Sequence, residues 1–110
     1  MSVNDGNGLA LASESTGTTA RLILSGELDI ATVPQLLEQT RRQLDKNPEF
    51  LVLDLSGVSF IDSSGLKALL EAVHMHPDRV RIVPSAACLR LFELTGVSDR
   101  LPLIDGDRPA

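Results

Sequence analysis

"FLVLDLSGVSFIDSSGLKALLEA", residues 50–72, changes its structural period partway along. The run 50–55 is apolar everywhere except Asp54, which reads as a central strand covered on both faces. Leu66, Leu69, Leu70 and Val73 then recur at i, i+3, i+4 and i+7, the spacing of an amphipathic helix. Asp62, Ser63, Ser64 and Gly65 stand between them, an acid, two hydroxyls and a glycine where one capping residue would start the helix. A strand feeding a helix through a short polar junction is the building unit of α/β folds, and the flanking sequence supplies further units.

Upstream, residues 1–8 read as a loose arm, and Leu9 to Ala12 as a short strand before a Ser/Thr/Gly-rich turn at 13–18. Residues 19–25 read as a strand with Leu22 and Leu24 on one face and Ile23 on the other, ended by Gly26. Thr32 is positioned to cap a first helix, with Pro34 tolerated in its opening turn. Val33, Leu36, Leu37, Thr40 and Leu44 form its buried stripe, Glu38, Arg41 and Arg42 its solvated face, and Asn47-Pro48 its stop. Downstream, 79–83 reads as a strand. Ser85 caps a third helix carrying Cys88, Leu91 and Phe92 inward, Gly96 stops it, and "LPLI" reads as a last short strand. The order predicts one α/β domain over 9–105, a mixed and largely parallel sheet of about four to five strands covered by helices, with 106–110 a short tail. In such sheets sites lie beyond the carboxyl ends of the strands, where the Glu27-Leu28-Asp29 and Asp62-Ser63-Ser64 loops fall.

The chain has 110 residues, 43% of them hydrophobic, which suffices for one core without disulfides or metals. A net charge of -5 and only three aromatic residues, all Phe, argue against direct binding to nucleic acid. Arg41-Arg42, Arg79 and Arg81 read as solvated spots. The single cysteine, Cys88, reads as a small core residue, and no Cys/His spacing suggests a metal. The first residues lack a signal-peptide pattern and no apolar run approaches a membrane span, so the expectation is a soluble cytoplasmic protein with no membrane role.

A serine nucleophile needs a nearby base. His74 and His76 lie near the far end of the helix that opens at Ser63, about 15 Å away at the rise of an α-helix. They read as a frayed helix end, so a hydrolase using Ser63 is disfavoured. Asp29 and Asp62 read first as solvated loop acids, Lys67 as a solvated helix residue, and Ser63 or Ser64 as an ordinary helix cap. The competing reading is a phosphate switch. The first N–H groups of a helix lack internal partners, so a phosphate on a serine there finds donors and a favourable dipole. On that reading Gly65 leaves room for an approaching protein.

With those residues in place, the chain resembles the anti-sigma factor antagonist family, the bacterial members of the STAS domain group. "LSGELD" at 24–29, "LVLDLSGVSFIDSSGL" at 51–66 and "LRLFELTGVSDRLPL" at 89–103 carry the resemblance, in order and spacing. It implies a regulator without enzymatic activity or cofactor, acting by partner switching in stress-response transcription. Such a protein binds an anti-sigma factor that is also a serine kinase, releasing a sigma factor. The kinase phosphorylates the first hydroxyl residue after the motif aspartate, and a serine phosphatase reverses this. The resemblance assigns that position to Ser63, with Ser64 as runner-up. It implies a partner-binding face of Asp29, Asp62, Ser63, Ser64, Gly65, Leu66 and Lys67, the last where many relatives carry a small residue. The alternative is a STAS scaffold subunit that binds a non-kinase partner, such as a transporter ATPase, without phosphorylation.

Overall fold

A computed structural model describes residues 8–105; the expected tail 106–110, and all of the expected arm except Gly8, lie outside them. Strand β1 (Leu9–Thr16) pairs antiparallel with β2 (Thr19–Leu28), and β2 then pairs in parallel with β3 (Phe50–Ile61), which pairs in parallel with β4 (Val80–Val83). The four strands lie in chain order, joined by α1 (Val33–Asp45) between β2 and β3 and α2 (Ser63–Met75) between β3 and β4. Helix α3 (Ala86–Thr95) and a short 3-10 turn at Ser98–Arg100 follow β4. The expected "LPLI" strand is reduced to one bridge, Leu103 beside Ile82.

Right-handed crossovers that always advance the same way along a sheet place every helix on the same side. The core has that form: Leu22, Leu24, Leu51, Leu53 and Ile82 from the strands meet Leu36 of α1, Leu69 and Ala72 of α2, and Cys88 and Phe92 of α3 in one cluster. The alternate strand positions Arg21, Ile23, Val52 and Asp54 face the other side. Residues 51–55 of β3 are all buried, as expected for a central strand covered on both faces, although the helix-side core draws only on alternate positions. Val52 is nonetheless buried, in register between Arg21 and Arg81, whose guanidinium stacks 5.0 Å above the Phe50 ring.

Three strands also run longer than expected. β1 continues to Thr16, so the hairpin turn is only Gly17 and Thr18, because polar side chains suit an edge strand with a solvated side. β2 passes through Gly26 to Leu28, and β3 runs to Ile61 rather than stopping at Leu55. The reason is a pair of irregularities in their register, which pairs Ile23 with Asp54 but Ser25 with Gly57, and Gly26 with Val58 but Glu27 with Phe60. β3 thus carries an extra residue at each shift, Ser56 and Ser59, and each is satisfied locally. The Asp54 carboxylate accepts from Ser56 N (3.0 Å) and Ser56 Oγ (2.7 Å), and Ser59 Oγ donates to Gly26 O (3.3 Å). Gly26 adopts φ 107°, and a side chain there would run into the carbonyl of Gly8.

Asp54 also receives Arg21 Nη2 at 3.0 Å in a mostly buried ion pair. Burial alone would raise the Asp54 carboxyl, but hydrogen bonds from Ser56 and Arg21, with the Arg21 charge, outweigh it and leave its pKa lowered.

The helices follow the sequence closely. Leu36 and Thr40 of α1 are buried, while Arg42 and Glu38 pair on its solvated face at 3.3 Å. Ser85 Oγ caps α3 by accepting from Cys88 N, and Gly96, left-handed at φ 74°, ends it.

Candidate functional site

The carboxyl edge of the sheet joins the two polar loops. Leu28 pairs with Ile61, the last residues of β2 and β3, and Asp62 N donates to Leu28 O at 3.4 Å. Asp29 and Asp62 each stand one residue beyond that pair.

Asp62, not Ser63 or Ser64, is the N-cap of α2. Its backbone is extended (φ -116°, ψ -172°) and its carboxylate accepts from Gly65 N at 3.0 Å. Ser63 is the first helical residue, and its side chain is exposed rather than consumed by capping; Ser64 is half-buried. The ladder begins with Leu66 N donating to Asp62 O, so the Ser63 and Ser64 amides lie at the mouth of the helix, outside that ladder.

Asp29 has a comparable task. Its Oδ1 accepts from Ala31 N (3.0 Å) and Thr32 N (3.2 Å), fixing the turn that leads into α1. Thr32 occupies the N-cap position of α1 but makes no side-chain cap bond. Its buried hydroxyl instead donates to Glu27 O (2.9 Å) and accepts from Asp29 N (3.0 Å), so Thr32 holds the Asp29 loop closed. Asp29 and Asp62 thus each accept from backbone N–H groups at the entry to the helix that follows.

Gly65 and Leu66, both expected in the partner-binding face, are buried in the chain itself. A Cβ on Gly65 would stand 2.5 Å from Leu28 O and 3.0 Å from Leu28 Cγ. The missing side chain lets the first turn of α2 pack directly on the end of β2. It does not open room for a partner. Lys67 is exposed on the next turn.

His74 lies eleven residues along α2 from Ser63, roughly 16 Å at the α-helical rise, and is exposed. Cys88 is fully buried. Among the described residues no group of His, Cys, Asp and Glu is arranged to hold a metal, and no helix is long and apolar enough to cross a membrane. A shallow cleft of about 240 Å³, lined by residues including Thr18, Thr19, Lys46 and Asn47, lies at the opposite, amino edge of the sheet, away from both polar loops.

Sequence reasoning did not pick out Ile30 and Phe60, which are 77% and 48% exposed at this same edge. Phe60 was concealed because β3 was expected to end before it. The alternation of Phe60 with buried Ile61 becomes a signal only once the strand is known to continue.

The fold and this edge define a small single-wound α/β domain that presents a capped helix start and an adjoining loop, in the manner of a protein-interaction module. The match to the STAS domain covers residues 11–106, and the chain belongs to that family, among its anti-sigma factor antagonists. It is 31% identical over 87 residues to the anti-sigma-B factor antagonist of Staphylococcus aureus, across 76% of this chain and 81% of the relative. The crystal structure of an anti-sigma factor antagonist from Mycobacterium paratuberculosis superposes with a TM-score of 0.81 at 28% identity, covering 97% of this chain and 92% of that one. The anti-sigma factor antagonist SpoIIAA, known in unphosphorylated form, shares the fold at a TM-score of 0.68 and 22% identity over 90% of each chain. The phosphorylated form of SpoIIAA from Bacillus gives 0.62 and 23% over 90% of this chain and 93% of that one.

Proposed function

We propose that this chain binds a serine-kinase anti-sigma factor and so releases a sigma factor, and that phosphorylation of Ser63 ends the complex until a serine phosphatase restores it. The observation that carries this reading is the position of Ser63. Its side chain is exposed at the first residue of α2, while Asp62 performs the capping that would otherwise occupy a serine there. The name of the staphylococcal relative supports an anti-sigma partner, and the structure of phosphorylated SpoIIAA supports a fold that tolerates the modification.

Phosphate works here by blocking the partner rather than by refolding the domain. The N–H groups and dipole of the α2 start accept the group locally. It adds about -1.5 to -2 charges at pH 7. That charge enters beside Asp62 and near the Asp29 loop, and its bulk occupies the space a partner must fill. An interface penalty of ~3 to 4 kcal/mol lowers affinity by roughly 200- to 1000-fold.

The test is incubation with ATP and a purified anti-sigma factor of the serine-kinase type, followed by phosphosite mapping and calorimetry. Ser63→Ala should bind and accept no phosphate. Ser63→Glu should fold but bind weakly. Phosphate on Ser64 alone, or equal affinity of the free and phosphorylated forms, refutes the proposal.

A further inference from the structure

Large exposed apolar side chains are few among the described residues: Ile30, Phe60, Leu89 and Leu94. Ile30 and Phe60 both lie at the carboxyl edge, Ile30 in the loop after β2 and Phe60 near the end of β3. Ile30 is two residues beyond Leu28, Phe60 is one residue before Ile61 and Ser63 two after it, and Leu28 and Ile61 are paired. At 3.8 Å per Cα step, all three lie within about 8 Å of that pair along the chain. Glu27, Asp29 and Asp62 fall within the same reach, each adjacent to one member of it.

These side chains point outward for different reasons. Leu28 and Ile61 belong to the core on the helix side, so their strand neighbours Glu27 and Phe60, themselves in register, project from the opposite face. Ile30 stands in the turn that Asp29 and Thr32 tie down, a rigid loop rather than one free to fold inward. A turn residue 77% exposed, with its backbone held in place, keeps its apolar surface in water in the isolated chain.

We infer that Ile30 and Phe60 are the apolar anchors by which the anti-sigma factor is held, inside an acidic rim of Glu27, Asp29 and Asp62. This rests on the function proposed above. The matching surface on the partner is a pair of shallow apolar depressions bordered by Lys or Arg side chains. A few buried apolar anchors supply most of an interface's affinity, while rim charges set the encounter rate and its salt dependence. The division of labour explains how one phosphate can break the complex: added at Ser63, it enlarges the negative charge beyond what the partner's cations match and holds the anchors away from their depressions.

The experiment measures binding of the same purified serine-kinase anti-sigma factor to wild type, Ile30→Ala, Phe60→Ala, the double variant and Glu27→Gln, at low and high salt. Each anchor variant should bind at least about ten-fold more weakly. Wild-type affinity should fall with salt, less steeply in Glu27→Gln. Because these side chains are exposed, circular dichroism and melting temperature should stay at wild-type values. Unchanged affinity in the double variant, while wild type binds and accepts phosphate on Ser63, overturns the anchors and leaves the function standing. Absence of binding by wild type overturns the function, and this inference with it. A wild-type dimer that dissociates in the double variant assigns the surface to a second copy of the chain and also overturns it.

Discussion

Replacing Gly65 with Ala adds one methyl group at the contact between the two loops. That carbon would be 2.5 Å from Leu28 O, 2.9 Å from Ile61 Cγ1 and 3.0 Å from Leu28 Cγ, well inside ordinary van der Waals contact. The carbonyl cannot swing aside freely, since it accepts the Asp62 N–H and ends a paired strand. Alanine is favoured over glycine in helices by about 1 kcal/mol, and overpacking costs about 1 to 3 kcal/mol. The clash with backbone should win, leaving Gly65→Ala less stable by about 1 to 2 kcal/mol and its melting temperature lower by about 4 to 8 °C. The relaxation open to the chain is for α2 to ride outward, which separates Ser63 from the Asp29 loop. Phosphorylation and anti-sigma binding should therefore weaken even where the protein is fully folded. Gly96→Ala is the control: nothing lies within 4 Å of its added carbon, so it carries only the strain of φ 74° and leaves binding unchanged. Urea and thermal unfolding by circular dichroism, with calorimetry on the folded variants, separate the effects. A Gly65→Ala protein as stable as wild type or more so, with normal binding, would refute the idea that close backbone approach sets the site.

Further outcomes follow from other contacts. Asp54→Ala should destabilise by about 3 kcal/mol, because it breaks the mostly buried ion pair with Arg21 and removes the acceptor of the Ser56 bulge; urea unfolding measures it. Since the folded pKa of Asp54 is lowered, its charge stabilises the fold above the unfolded value of about 3.9, and that contribution is lost as pH falls through the folded value. The stability gap between wild type and Asp54→Asn should accordingly be full at pH 7 and shrink below about pH 4. Asp62→Ala removes the α2 cap and should cost about 1 kcal/mol, read by thermal melting. Asp29→Asn should keep the fold, because an amide oxygen can still accept from Ala31 and Thr32, yet weaken anti-sigma binding by calorimetry.

Most of the fold was legible because its signals are local. The stripe on α1, the Ser85 cap and Gly96 stop of α3, and the alternation of Leu22, Ile23 and Leu24 each lie within a few residues of chain. The candidate site was legible as a motif: Asp62, Ser63 and Ser64 stand at a helix start, as the change of period at 60–66 indicates. Which residue caps the helix and which stays exposed was not, since Asp and Ser are both good caps and only the backbone angles choose between them. The length of β3 was hidden for a related reason. Ser56, Gly57 and Ser59 look like loop, and they remain in the strand because β2 lies alongside with matching breaks in register. The role of Gly65 and the exposure of Phe60 depend on that alignment, which brings Leu28 against α2 from some thirty-five residues away. Periodicity and capping chemistry thus determined the elements and the place of the Asp62-Ser63-Ser64 junction between β3 and α2. Strand register and backbone close approach, which belong to pairs of distant residues, decided what Ser63 is placed beside.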